Sequence, residues 1–160
     1  MSDAADTTGG AASGAPANLM HAALDRLVLQ FEAVSLASVA QLAALYADDA
    51  FFKDPFNEVV GRARIAAIFG HMFAQVDCPR FIVTTRIAQD ADAFLTWDFR
   101  FRMRRFSSEE QCIRGASHLK FRADGSVGFH RDYWDAAEEL YEKLPVLGSL
   151  MRFLKRRAAH

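Results

Sequence analysis

The chain has 160 residues, 51% of them hydrophobic, and 19 basic against 20 acidic side chains leave a formal charge of -1. That is the composition of one globular domain long enough to bury a core of its own. The charge balance excludes a global field for nucleic acid, and the aromatics lack the basic interleaving of a strand-binding surface, so no nucleic-acid partner is expected.

Residues 1–18, "MSDAADTTGGAASGAPAN", are small, polar and rich in Gly, Ala and Ser. They lack the basic start and continuous apolar segment of a secretory signal, and a disordered tail is expected. A single domain should then occupy 19–145, with 146–160 as a C-terminal amphipathic helix. No run approaches the roughly 18 apolar residues that cross a bilayer. Cys78 and Cys112 stand apart, with no CxxC and no histidine spacing around them. This argues against a disulfide framework, a redox pair or a zinc site, and for a soluble protein in a reducing cytoplasm.

From Leu24 the apolar positions Leu24, Leu27, Val28, Phe31 and Val34 recur at helical spacing and predict an amphipathic first helix. A second helix is predicted from "SVAQ", with Ser38 capping, Gln41 reaching back, and Val39, Leu42, Ala43 and Tyr46 on one face. "DDAFFKDPF" breaks this pattern: its aromatics suggest a short strand, and Pro55 cannot continue a helix. After Gly61 a third helix runs to about Val76, with Ile65, Ile68, Phe69, Met72 and Val76 on a bulky stripe. The period then changes. "FIVTTRIAQ", "AFLTWDFRFRMRRF", "QCIRGASHLKFR" and "SVGFHRDYW" read as strands separated by the turn sequences "DAD", "SSEE" and "ADG". Two helical stretches follow, 136–144 and 146–157, divided by Pro145.

Helices first and a meander after them predict an α+β domain, a curved antiparallel sheet covered by three N-terminal helices, with a C-terminal helical extension. Parity assigns the covered face. Trp97, Phe99, Phe101 and Met103 alternate with Asp98, Arg100, Arg102 and Arg104, while Ile113, Gly115, Ser117, Leu119 and Phe121 alternate with polar partners. An inward face mixing Trp, Phe, Gly and Ser is uneven in volume and predicts a cavity.

Two patterns carry a resemblance over residues 20–145. "LYADDAFFKDP" is similar to the ketosteroid isomerase segment that ends in its general-base aspartate, and "HRDYWD" is similar to the last-strand motif of limonene epoxide hydrolase. With the element order, they make the chain resemble the cone-shaped superfamily of nuclear transport factor 2, ketosteroid isomerase, limonene epoxide hydrolase and the SnoaL-like polyketide cyclases. The resemblance implies a general base at Asp54 and a catalytic aspartate at Asp132. The isomerase's oxyanion-hole tyrosine falls near Gln30 and its protonated aspartic acid on Ser117. The hydrolase's water-positioning tyrosine and asparagine fall on Phe52 and Asp54, and its Arg-x-Asp stands reversed as Asp98-x-Arg100.

The residues themselves allow two readings of each candidate. Asp54, before Pro55, is either a turn aspartate holding backbone N–H groups or a carboxylate partly desolvated by Phe52 and Phe56. His130, Asp132 and Trp134 share one side of the last strand; they either close the mouth of the sheet or form a proton-handling pair under an aromatic wall. Phe52, Phe56, Phe69, Met72, Trp97, Phe99, Ser117 and Trp134 are the candidate substrate contacts, with plain core packing as the alternative. His71 lies on a helix and His118 has outer-face parity, so no metal site is expected, nor any cofactor. The basic stripe Arg100, Arg102, Arg104 and Arg105 fits a solvated or homodimer-forming outer face. The basic C-terminal helix either packs or contacts an acidic membrane or a partner.

The expected activity is general acid/base catalysis of the isomerase, cyclase or hydrolase type on an apolar or aromatic small molecule. The alternatives are a non-catalytic carrier of an apolar metabolite and a protein-interaction scaffold.

Overall fold

A computed structural model describes residues 14–103 and 107–139. The expected C-terminal helix at 146–157, Arg104, Arg105 and most of the expected tail lie outside the described residues. Helix α1 spans Gly14–Ala33, starting upstream of the stripe that announces it. That stripe is buried: Leu24, Leu27, Val28, Phe31 and Val34 all enter the core, and α1 packs on β3 (Val76–Gln89).

The second helix differs from its sequence reading. A 3-10 turn at Leu36–Ser38 precedes a short α2, Val39–Ala43. Ser38 makes no side-chain cap to α2; its hydroxyl instead accepts from the Ser35 backbone N–H at 2.8 Å, closing a Ser35–Ser38 box one turn earlier. Tyr46 is not on the helix. It opens strand β1, Tyr46–Lys53, where the backbone is extended and Ala50 and Phe52 also point inward.

The chain then turns at Asp54–Asn57 into β2, Glu58–Val60, a short strand that the sequence pattern did not announce. Helix α3, Arg62–Gln75, follows Gly61, whose φ of 110° is the left-handed geometry that favours glycine. Ile65, Phe69 and Phe73 of α3 are buried, and the helix packs on β1 and β3.

β3, β4 (Asp92–Met103), β5 (Ser107–Phe121) and β6 (Val127–Tyr133) form the expected antiparallel meander. The full order is β2-β1-β6-β5-β4-β3 in one six-stranded sheet, curved but not closed. One pairing is parallel: β1 lies beside β6, with Phe52 opposite His130. This joins the first strand to the last across most of the chain, so no local turn sequence encodes it. A short α4, Ala136–Glu139, ends the described chain, and the Asp135 carboxylate accepts from the Glu138 N–H at 3.1 Å. No described helix is long and apolar enough to cross a membrane.

Parity predicted the covered face. Leu95, Trp97, Phe99 and Phe101 of β4 and Ile113, Ser117, Leu119 and Phe121 of β5 are buried. On the opposite face Arg100 bonds Asp98 at 3.2 Å and approaches Glu110 at 3.6 Å.

Candidate functional site

The concave face ends in a cavity of about 870 Å³, within the usual range for small-molecule sites. Its walls are the inward side chains of β4 and β5, the stripe of α3, the Asp54–Asn57 turn and the end of β6. Phe52, Phe56, Phe69, Met72, Trp97, Phe99 and Trp134 all border it, as do Asp54 and Asp132. Phe56 meets the Trp134 ring edge-on, centroids 5.3 Å apart, so the turn and the last strand close one rim together. Ser117 and His130 lie behind this wall. With Trp97 and Asp132 they line a separate void of about 20 Å³, room for about one water.

Alternation on β6 places His130 and Asp132 side by side, and the strand pairings bring three more polar side chains to them. The Trp97 indole N–H donates to Ser117 Oγ at 2.8 Å, and the Ser117 hydroxyl donates to Asp132 Oδ1 at 2.5 Å. His130 Nε2 lies 2.7 Å from the same oxygen, and its Nδ1 lies 2.7 Å from the Tyr46 hydroxyl. Register explains the meeting: Ser117 stands opposite Asp132 on β5 and β6, while β1 delivers Tyr46 from the far side of β6.

With the imidazole neutral and Asp132 ionised, the donor arithmetic places the protons. Tyr46 is fully buried, and burial followed by the negative charge of Asp132 pushes its phenol well above the usual value of 10.0, so it stays a donor. A tyrosine O–H given to Nδ1 of the neutral ring leaves the proton on Nε2, which donates to the carboxylate. Oδ1 of Asp132 therefore receives two hydrogen bonds, and Oδ2 receives none from the described residues. The Asp132 side chain retains 16% exposure, against 1% for His130. One oxygen is held by the protein, the other has no partner among the described residues, and the side chain borders the cavity.

Asp54 is held differently. Its Oδ1 accepts the backbone N–H of Phe56 at 2.7 Å and of Asn57 at 2.6 Å, and the Asn57 amide reaches both carboxylate oxygens. It borders the cavity as the organising side chain of its own turn.

Tyr46 is the functional candidate that sequence reasoning missed. The available signal was its hydroxyl, since a tyrosine in an apolar stripe must find a partner when buried. The hydrolase-like reversed pair Asp98 and Arg100 does not reach the cavity; the two bond each other on the outer face. Gln30 is half-buried on α1 and does not border the cavity.

This architecture, helices laid on one face of a curved sheet around a cavity, is that of the nuclear transport factor 2-like fold class, which includes isomerases and hydrolases. Residues 29–130 match the family model of the SnoaL-like domain, and the chain belongs to that family. Among solved structures it is similar to a protein of ketosteroid isomerase-like fold from Catenulispora acidiphila in complex with trimethylamine, at 13% identity over 74% of this chain and 88% of that one, TM-score 0.64. It is also similar to an LEH-like epoxide hydrolase from M. tuberculosis, at 14% identity over 78% and 87% of the two chains, TM-score 0.61. A third likeness is to an NTF2-like protein of unknown function from Exiguobacterium, at 16% identity over 71% and 98%, TM-score 0.61. At these identities the likeness is one of fold. No curated protein matches the chain by sequence.

Proposed function

We propose that this protein is an enzyme that moves a proton on an apolar or aromatic small molecule held in the cavity, with Asp132 as the group that takes or returns it. The carrying observation is the division of the Asp132 carboxylate, Oδ1 saturated by Ser117 and His130 and Oδ2 without a partner among the described residues, on a side chain that borders the cavity. A base fixed in this way does not rotate away from its substrate, and orientation of that kind lowers the barrier to reaction. His130 and Tyr46 act as positioning residues. His130 has no border on the cavity, so it works through Asp132, and Tyr46 sets the ring's tautomer. Asp54, with both oxygens engaged by its turn, shapes the rim.

The test is a panel of lactones, enones and epoxides offered to wild type, Asp132→Asn and Asp54→Asn. General acid/base chemistry is worth about 10²- to 10⁴-fold, so Asp132→Asn should lose at least the lower figure in turnover while still binding. Asp54→Asn should keep most of its activity. Tight binding without turnover, equal in all three proteins, would establish a carrier instead. One observation favours that second reading: Ser117, Trp97 and His130 spend their donors within the network, leaving none of them to stabilise a substrate oxyanion.

A further inference from the structure

The described residues around the cavity carry formal charge of one sign. Among the described residues that border it there is no lysine or arginine, while two carboxylates, Asp54 and Asp132, do border it. His71, the remaining titratable side chain there, is hydrogen-bonded to Gln75 at 2.6 Å. The rest of the wall is largely aromatic, and aromatic faces carry negative potential that attracts cations. An anionic ligand entering this space would meet like charge in a low dielectric, with no fixed cation among the described side chains to offset it.

We propose that the ligand of this cavity is an apolar molecule carrying a protonated amine, with its ammonium group beside Asp132 and its carbon frame among Phe69, Trp97, Phe99 and Trp134. The inference rests on the reading of the cavity as the ligand site. It names the class of molecule that the site selects. Two features support it. Oδ2 of Asp132 accepts from no described residue, so an ammonium N–H has an acceptor. Aromatic rings, Phe69, Trp97, Phe99 and Trp134 among them, border the same cavity as Asp132, and such rings attract cations.

An isosteric trio tests this without knowledge of the natural substrate: 1-adamantylmethylammonium, 1-adamantylmethanol and 1-adamantanecarboxylate at pH 7. None of them absorbs near 280 nm. The chain's two tryptophans, Trp97 and Trp134, both border the cavity, so intrinsic fluorescence reports binding directly.

The ammonium should bind at least tenfold more tightly than the alcohol, and the carboxylate more weakly than either. Asp132→Asn should bring the ammonium to within about threefold of the alcohol while the alcohol's own affinity stays the same, which also shows that the variant is folded. Asp54→Asn should retain most of the ammonium preference. If the alcohol binds and the ammonium binds no better, or if the preference survives Asp132→Asn, the charge proposal is wrong and the cavity reading stands. If none of the three binds, both are wrong.

Discussion

Replacing Tyr46 by Phe removes one oxygen from the centre of the molecule and leaves the ring's volume nearly unchanged. Tyr46 is 0% exposed and His130 is 1% exposed, so water cannot readily take the lost partner's place at His130 Nδ1. Leaving a buried polar atom unpaired costs about 1–3 kcal/mol, and the preserved shape keeps cavity terms small. The melting temperature should fall by about 2–4 °C per kcal/mol for a domain of this size. Tyr133→Phe, on an exposed residue, should stay within about 0.5 kcal/mol of wild type. Urea unfolding followed by circular dichroism gives both numbers. The pH dependence has a defined sign. The folded-state phenol is raised above 10.0, so the native protein keeps a proton that the unfolded chain releases; its stabilising share is complete below pH 10 and declines as pH rises beyond it. The gap between Tyr46→Phe and wild type should therefore narrow above pH 10. Nitrogen-15 NMR of the imidazole supplies the structural readout, with neutral His130 protonated on Nε2 in wild type. A wild-type proton on Nδ1, or a Tyr46→Phe protein as stable as wild type, would refute the hydrogen-bonded order Tyr46–His130–Asp132.

Gly115→Ala should destabilise by about 1–3 kcal/mol through overpacking, because a Cβ there would stand 2.4 Å from two Trp97 ring atoms; tryptophan fluorescence should shift as the indole leaves Ser117. Asp54→Ala should cost about 1–2 kcal/mol in urea unfolding by freeing the Phe56 and Asn57 N–H groups, whereas Asp54→Asn, which still offers an amide oxygen, should cost less than half as much. Acid should weaken the fold through Asp49, Asp92 and Asp124, whose carboxyls are held below their usual value by hydrogen bonds from Arg122, from His118 and Lys120, and from Ser126 respectively. Their contribution is present above about pH 4 and is lost as pH falls through the native values, so Asp92→Asn should shallow the decline measured between about pH 5 and pH 2.

Where the apolar period was unbroken, sequence and structure agree. β4 alternates without interruption from Leu95 to Phe101, and Ile113, Ser117, Leu119 and Phe121 of β5 keep one parity, so counting by two placed Trp97 and Ser117 inward. The same rule put His130 beside Asp132. It failed at β1 for a physical reason. "ALYADD" continues the helical stripe of α2 into Tyr46, and the register of β1 on β6 shifts between Tyr46 and Phe51, so neither period is clean there. The parallel pairing that carries Tyr46 to His130 is a tertiary event between the first strand and the last, and it leaves no turn signature in the chain. At Asp54 the sequence left a turn aspartate and a desolvated carboxylate both open; the turn hydrogen bonds to Phe56 and Asn57 are local chemistry of the first kind, while its place on the cavity border depends on the tertiary fold.

The hydrogen-bond network and the cavity wall are not separable parts, because Ser117, behind the wall, bonds both Trp97 and Asp132, which border the cavity. Its Oγ accepts the Trp97 indole N–H and its own O–H donates to Asp132, so the ring that borders the cavity and the carboxylate that would do the chemistry are fixed by one atom. Removing that hydroxyl with Ser117→Ala leaves the indole N–H without its acceptor and Oδ1 with one donor where there were two. An isolated core hydroxyl would cost only its own hydrogen bonds. Here loss of the hydroxyl should loosen the ring and the carboxylate together, so that ligand affinity and turnover fall in the same variant. Ser117→Thr restores the hydroxyl but adds a methyl to a side chain that is 3% exposed, so its rescue depends on that methyl finding room. The void of about 20 Å³ beside Ser117 is where it would have to go, and a methyl that fills it would bring back the hydrogen bonds without widening the wall.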